Sequence, residues 1–290
     1  MTPRLDRRQF LATTAGAVAA VGLARASAAP TPAGLIDTNV TLGRWPFRRL
    51  PLDETPALIA KLRANGVTQA WAGSFDALLH KDLSAVNARL AAECRTHGDG
   101  LLVPFGAINP MLADWESDLR RCVEVHGMKG IRLHPNYHGY TLADPPAARV
   151  LALAAEHGLV VQIALAMEDE RTLHPLVKVP PTDAAPLPAL IARVPGVRVQ
   201  LLNALRTLRG KPVATLAAAG VRFEIATLEG VAGVGRILSE IGDDRLLFGS
   251  YAPFFYFESA MLKLQESVLS AAQLQALTVA NARALLPSAK

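Results

Sequence analysis

The strongest constraint on this chain is a phrase that it repeats eight times. A short, β-rich apolar run gives way to a polar or Pro-bearing loop, then to an Ala- and Leu-rich helical stretch ending at Gly. The runs are Leu35–Val40, Val67–Ala72, Leu101–Ile108, Ile131–His134, Val160–Leu165, Val197–Leu202, Val221–Ala226 and Leu246–Gly249. Helical stretches between them include Asp53–Asn65, Asp82–Thr96, Asp114–Val125 and Ala147–Glu156, with a short one holding Pro188 at Leu187–Val194. Parallel neighbours need a crossover helix, so this alternation implies a parallel sheet. Eight units fill the length of a closed (β/α)8 TIM barrel, α/β in class and a single domain. An open doubly wound sheet is the alternative. No Gly-rich dinucleotide fingerprint follows the first run, which counts against it.

The first 28 residues read as an address. Arg7-Arg8-Gln9-Phe10-Leu11 precedes an uncharged stretch to Ala24 and then Ala26-Ser27-Ala28. A charged start, an apolar middle and a small-residue cleavage site are the order of a signal peptide. The paired arginines resemble a twin-arginine export signal. The expectation is a cleaved segment 1–28, a barrel over 29–290, a periplasmic location and no membrane contact after cleavage. The segment also distorts the charge. The whole chain carries +5, but 26 basic and 24 acidic residues remain without it. No basic run with interleaved aromatics survives, so nucleic acid is not an expected partner. With 51% hydrophobic and 19% charged residues the chain has ample core material, which excludes intrinsic disorder. Two cysteines, Cys94 and Cys122, are too few for a disulfide scaffold. Both fall near helix ends, and packed helices rarely bring Cα atoms within ~7 Å, so buried free thiols are expected over a bridge.

A barrel places its chemistry where strands run into helices. That sorts the histidines. His97, His126 and His157 each precede Gly at a helix end, where a cation suits the dipole and Gly makes the left-handed cap. His80, His134, His138 and His174 follow strands. Period-2 alternation puts Leu35, Asp37, Asn39 and Thr41 on one face of the first strand. It likewise pairs Arg132 with His134, Gln162 with Ala164, Leu201 with Asn203, Arg222 with Glu224, and Gly249 with Tyr251. Arg132 and Glu224 could form an ion pair inside the barrel.

Several of these runs carry a resemblance. Ile-Asp-Thr-Asn-Val-Thr at 36–41 resembles the opening Ile-Asp-x-His-x-His of the amidohydrolase superfamily, in its amidohydrolase-related branch. Gly130-Ile131-Arg132-Leu133-His134-Pro135 resembles its fourth-strand motif. Leu247-Phe248-Gly249-Ser250-Tyr251-Ala252-Pro253 resembles its eighth, and Ala280-Asn281-Ala282-Arg283-Ala284-Leu285 its closing Asn-Ala-x-x-Leu. The resemblance implies a TIM barrel that hydrolyses a C–N or C–O bond, or decarboxylates, a small and anionic compound. It also implies a catalytic divalent metal, typically zinc. Here the implied ligand positions read Asn39, Thr41, Ala164, Asn203 and Tyr251. Amide and hydroxyl oxygens hold zinc poorly, so no metal or other cofactor is expected there.

A polar set remains at the strand ends. His134, His138 and His174, with Glu168 or Asp169, fit a proton-transfer site, a relocated metal site, or loop residues that brace the barrel mouth. If the protein is active, these five residues are the catalytic candidates. Arg44, Arg48 and Arg132 are the candidate anion contacts, with Asn136, Asn39, Asn203 and Tyr251 as further ligand-binding groups. Trp45 and Phe47 beside those arginines equally fit the interface of a homo-oligomer. The alternative function is a non-catalytic barrel, a pseudoenzyme that binds a ligand or a partner protein.

Overall fold

A computed structural model describes residues 34–286. The export signal read at 1–28, and its cleavage point, lie outside the described residues. Eight parallel strands follow one another in sheet order: β1 (Leu35–Leu42), β2 (Val67–Ser74), β3 (Leu102–Ala107), β4 (Gly130–Leu133), β5 (Val160–Ala164), β6 (Arg198–Leu202), β7 (Arg222–Glu224) and β8 (Leu246–Leu247). Backbone bonds from Thr38 N to Phe248 O (3.0 Å) and from Tyr251 N to Asn39 O (2.8 Å) join the last strand to the first. The protein is a (β/α)8 TIM barrel.

The crossover helices are α1 (Thr55–Ala64), α2 (Leu83–Gly98), α3 (Trp115–Glu124), α4 (Pro135–His138), α5 (Pro145–Glu156), α6 (Leu187–Arg193), α7 (Lys211–Ala218) and α8 (Gly233–Ile241), and α9 (Phe257–Gln265) follows β8. One continuous apolar cluster fills the space between strands and helices. It takes Leu35 and Val40 from β1, Leu201 from β6 and Phe223 from β7. A second cluster, with Ile36, Trp71, Phe105, Val160 and Leu247, joins residues of the C-terminal helical segment, Val279 and Leu285 among them. Trp71 stacks on Phe105 at 5.1 Å. Cys94 and Cys122 are buried free thiols, and burial pushes each up to about 12.

Helix ends follow the expectation with one exception. Gly127 and Gly158 adopt the left-handed backbone after His126 and His157. After His97 it is Asp99, at φ 44°, that does so, while Gly98 stays helical. A Cβ at position 98 would lie 3.1 Å from the Leu102 Cβ, so this glycine serves packing instead of the cap.

Two strand faces depart from simple alternation. The pairing of β1 with β2 shifts register between Asp37 and Val40. Thr38 and Asn39 therefore both meet partners across the barrel, while Leu35 turns to the helices. On β6 Leu201 faces the helices and Gln200 faces the axis. Asn203 reaches the axis only because its backbone is left-handed, at φ 55°. One polar residue of the interior, Gln200, is thus found where period-2 reading from Asn203 places the wrong face.

Candidate active site

Beyond the apolar layer of Ile36, Trp71, Phe105, Val160 and Leu247, the barrel interior is lined with buried polar side chains. Arg132 is 2% exposed, yet among the described residues no carboxylate pairs with it. Its guanidinium donates to Gln162 Oε1 (3.0 Å), Val40 O (3.1 Å), Thr41 Oγ1 (3.0 Å) and Trp71 O (3.3 Å). Gly73 makes room: a Cβ there would sit 2.5 Å from Arg132 Nη1. Gln162 passes the chain on to Thr38 O (2.7 Å) and Gln200 Oε1 (2.9 Å). A neutral set of acceptors spreads the charge, and burial still pulls the guanidinium down to about 10.

Glu224 occupies the same interior without meeting Arg132, so the expected ion pair does not form. Its carboxylate accepts from Asn203 N (2.6 Å), Asn39 Nδ2 (3.2 Å) and Ala226 N. Burial pushes it up to about 7 against those donors. Asp37 is treated alike: burial raises it to about 6, while Ser250 N and Oγ and Asn39 N donate to it. Gly249 lies against Glu224, whose Cβ would be 2.8 Å from an added Cβ.

Tyr251 closes this interior from above. Its backbone is left-handed (φ 58°), its ring is buried, and its hydroxyl donates to Met167 O at 2.7 Å across the mouth. The ring stacks on Phe254 at 4.9 Å. On the outer side lies a cavity of about 460 Å³. Tyr251, Phe254 and Phe255 form an aromatic wall, while Arg48, Glu168, Asp169 and Arg206 bring charge. Arg48 pairs with Glu168 and lies 5.1 Å from the Phe254 ring centre. Asp169 pairs with Arg206 and, at 2.6 Å, with Arg171, whose hydrogen bonds hold the carboxyl well below the usual range.

Of the residues singled out in the sequence, the cavity gathers Arg48, Glu168, Asp169, Asn203 and Tyr251. The three histidines are not among its lining. His174 is exposed and caps the turn at Pro175, accepting from Leu176 N at 3.2 Å. His138 Nε2 lies 2.9 Å from Ala77 O, tying α4 to the loop after β2. His134 is 1% exposed, its ring 5.8 Å from that of His138. Burial lowers the pKa of both imidazoles, that of His134 well below its ordinary value. The structure thus brings His134 and His138 side by side, while His174 sits at its own turn and Glu168, unlike any of the three histidines, lines the cavity.

Four further residues lie away from the cavity. Asn136 bonds Pro180 O at 3.0 Å, Arg44 pairs with Glu54 at 2.6 Å in solvent, and Arg132 and Asn39 are sealed inside. Trp45 is buried edge-on against Phe75 (5.3 Å) and Phe254 (5.0 Å), so its surface is spent within the chain. Sequence reading missed Arg206, Phe254, Phe255 and Lys263, all lining the cavity. The one available signal was the Ser259–Lys263 spacing, which puts two polar groups on one face of α9.

The profile of the amidohydrolase family matches residues 42–287. The chain belongs to the amidohydrolase family. No curated protein sequence matches the chain. Among solved structures, 2,6-dihydroxybenzoate decarboxylase from Rhizobium superposes with a TM-score of 0.66 at 14% identity, over 88% of this chain and 98% of that one. The 5-carboxyvanillate decarboxylase of Sphingomonas paucimobilis gives 0.68 at 13%, over 88% and 99%. That of Novosphingobium aromaticivorans, complexed with manganese and a nitrobenzoic acid, gives 0.68 at 14%, over 88% and 96%. At these identities the likeness is one of fold.

The donor set does not fit the divalent metal that the amidohydrolase resemblance implies. Thr41 Oγ1 accepts from a buried guanidinium, a cation where a second cation would be needed. Asn39 turns its amide nitrogen towards Asn203 Oδ1 and Glu224. Position 164 is alanine, and the Tyr251 hydroxyl is spent on Met167 O. Among the described residues no three His, Cys, Asp or Glu side chains gather as an ion site.

Proposed function

We propose that this amidohydrolase-family barrel binds a small, planar, carboxylate-bearing compound, an aromatic acid foremost, in the rim cavity. It acts on that compound as a hydrolase or decarboxylase without a strand-end metal. The observation that carries this reading is the cavity itself. Its volume of about 460 Å³ suits one small molecule, and it opens beside the ends of β5 to β8, with a wall of three aromatic rings. The solved decarboxylases that share the fold are named for aromatic acids, which supports the ligand class.

The chain's own groups divide the work. Asp169, held by two guanidiniums, stays an anion and orients its neighbours. Glu168 is the carboxylate assigned to proton transfer: it has one ion-pair partner, Arg48, among the described residues and is buried against the cavity, whereas Glu229 pairs with Arg209 at an exposed edge. The donor set of the interior favours a second reading, binding without turnover. Calorimetry with a panel of benzoates, combined with product detection by NMR and elemental analysis, separates them. Binding with loss of CO2 or of a leaving group in metal-free protein supports the first reading. Binding alone supports the second, and no binding sinks both. A stoichiometric metal lost on mutating Asn39 with Asn203 would overturn the metal-free assignment.

Export through the twin-arginine signal, to the periplasm, is part of the proposal. The intact mass of protein from a native periplasmic fraction is expected to begin at Ala29. A full-length mass there would contradict cleavage.

A further inference from the structure

We propose that Lys263, and not an arginine, takes the carboxylate of the compound held in the rim cavity. This rests on the cavity being a ligand site, and it adds the group that reads the ligand's charge. Both arginines of the lining are already spent, Arg48 on Glu168 and Arg206 on Asp169. The acid nearest the other rim, Glu229, is held by Arg209 at 3.1 Å. A ligand anion that used Arg48 or Arg206 would have to displace a carboxylate already bound, exchanging one ion pair for another with little net gain.

Lys263 differs from both. Among the described residues no carboxylate lies in ion-pair range of it. Its Nζ donates to Ile225 O (3.1 Å) and to Ala226 O, at the end of β7. An ammonium has three hydrogens, so one is left for the cavity that this side chain lines. Two backbone carbonyls fix the direction of that third donor, so little side-chain freedom remains to be lost on binding. The group is part-buried, and burial pulls the amine down. An arriving anion offsets that loss.

One fixed hydrogen matches a monoanion. A phosphate monoester would bring two charges to a single ammonium that already feels Glu224, Glu229 and Glu266. The ligand class is therefore a monocarboxylate on a flat apolar body, laid against Phe255 and Tyr251.

Calorimetry at neutral pH with benzoate, benzamide and phenyl phosphate tests this. The wild-type protein is expected to bind benzoate at least tenfold more tightly than the neutral amide or the phosphate. In Lys263→Met that preference falls below twofold, through loss of benzoate affinity alone. A preference that persists in Lys263→Met overturns the assignment, and so does one lost in Arg48→Met instead. A wild-type protein that binds none of the three overturns the cavity reading and this proposal with it. A second measurement needs no variant: saturating benzoate, and not benzamide, is expected to protect Lys263 of the wild-type protein from acetylation, read by mass spectrometry. Equal modification with and without benzoate refutes the anchor even if Lys263→Met fails to fold.

Discussion

Arg132 and Arg48 carry the same guanidinium on opposite sides of one layer of residues, Asn203, Ala226 and Tyr251. Arg132, inside, has four neutral acceptors and no carboxylate among the described residues. Arg48, outside, has a carboxylate partner and an aromatic face, with its side chain 49% exposed. The interior spends polar groups on holding β1, β2, β4, β5 and β6 in register. The rim pairs Arg48 with Glu168 and Arg206 with Asp169 beside a cavity open to solvent, and leaves Lys263 without a carboxylate in ion-pair range among the described residues. At the strand ends the polar groups bond one another, and the charged groups beside the cavity lie outside that layer.

That contrast predicts its largest difference in stability. Arg132→Met leaves Val40 O, Trp71 O, Thr41 and Gln162 without their donor, each loss costing about 1 kcal/mol, and about 4 kcal/mol in all. Urea unfolding measures it. A cost below about 1 kcal/mol would mean that the interior network is not what holds the strands.

The pH dependence comes next. Folding raises Asp37 to about 6 and Glu224 to about 7, both by burial. The folded chain therefore holds more protons than the unfolded one between their ordinary values and these, and stability falls as pH rises through that window. A tenfold change in proton affinity is worth about 1.4 kcal/mol, so each acid contributes at most about 3 kcal/mol. Asp53 and Glu116, held down by arginines, act with the opposite sign and only below about pH 4. Denaturant midpoints between pH 5 and pH 8 are expected to fall, and Asp37→Asn is expected to remove the lower part of that slope. A flat profile would show that water reaches the interior.

The barrel was legible because eight runs with helices between them leave few alternatives, and each predicted run overlaps an observed strand. The site was less so. Alternation assumes an unbroken strand, and the register shift after Asp37 and the left-handed Asn203 both break it. Loop order placed His134, His138 and His174 on the correct face of the barrel, but says nothing of rotamer. Glu168, Asp169 and Arg48 were visible as charges, whereas Lys263 gains its meaning only from having no acidic partner among the described residues.

The layer between the regions gives a smaller effect. Tyr251→Phe removes one hydrogen bond, to Met167 O, while keeping the ring on Phe254. The expected cost is about 1 to 1.5 kcal/mol by urea unfolding. Retention of the slope above pH 5 would show that the ring, and not the hydroxyl, keeps Glu224 dry. If the slope vanishes instead, the hydroxyl is part of the seal.

The smallest effect belongs to the rim. Arg48→Met takes a cation from Glu168, whose side chain is 5% exposed but faces a cavity that water can enter. Hydration replaces much of the lost pair, and the aromatic contact with Phe254 survives in part through the methionine sulfur. The expected cost is below about 1 kcal/mol, the range of partly exposed ion pairs. A double-mutant cycle with Glu168→Gln should give a coupling of the same size that shrinks in 0.5 M salt, where charges are screened beyond about 4 Å. The Arg132 cost should not move with salt, because no mobile ion reaches it. A salt-independent coupling above about 3 kcal/mol at Arg48 would erase the distinction between the regions. The rim would then be as fixed as the interior, and a ligand would meet a preformed clamp instead of a pair that solvent can open.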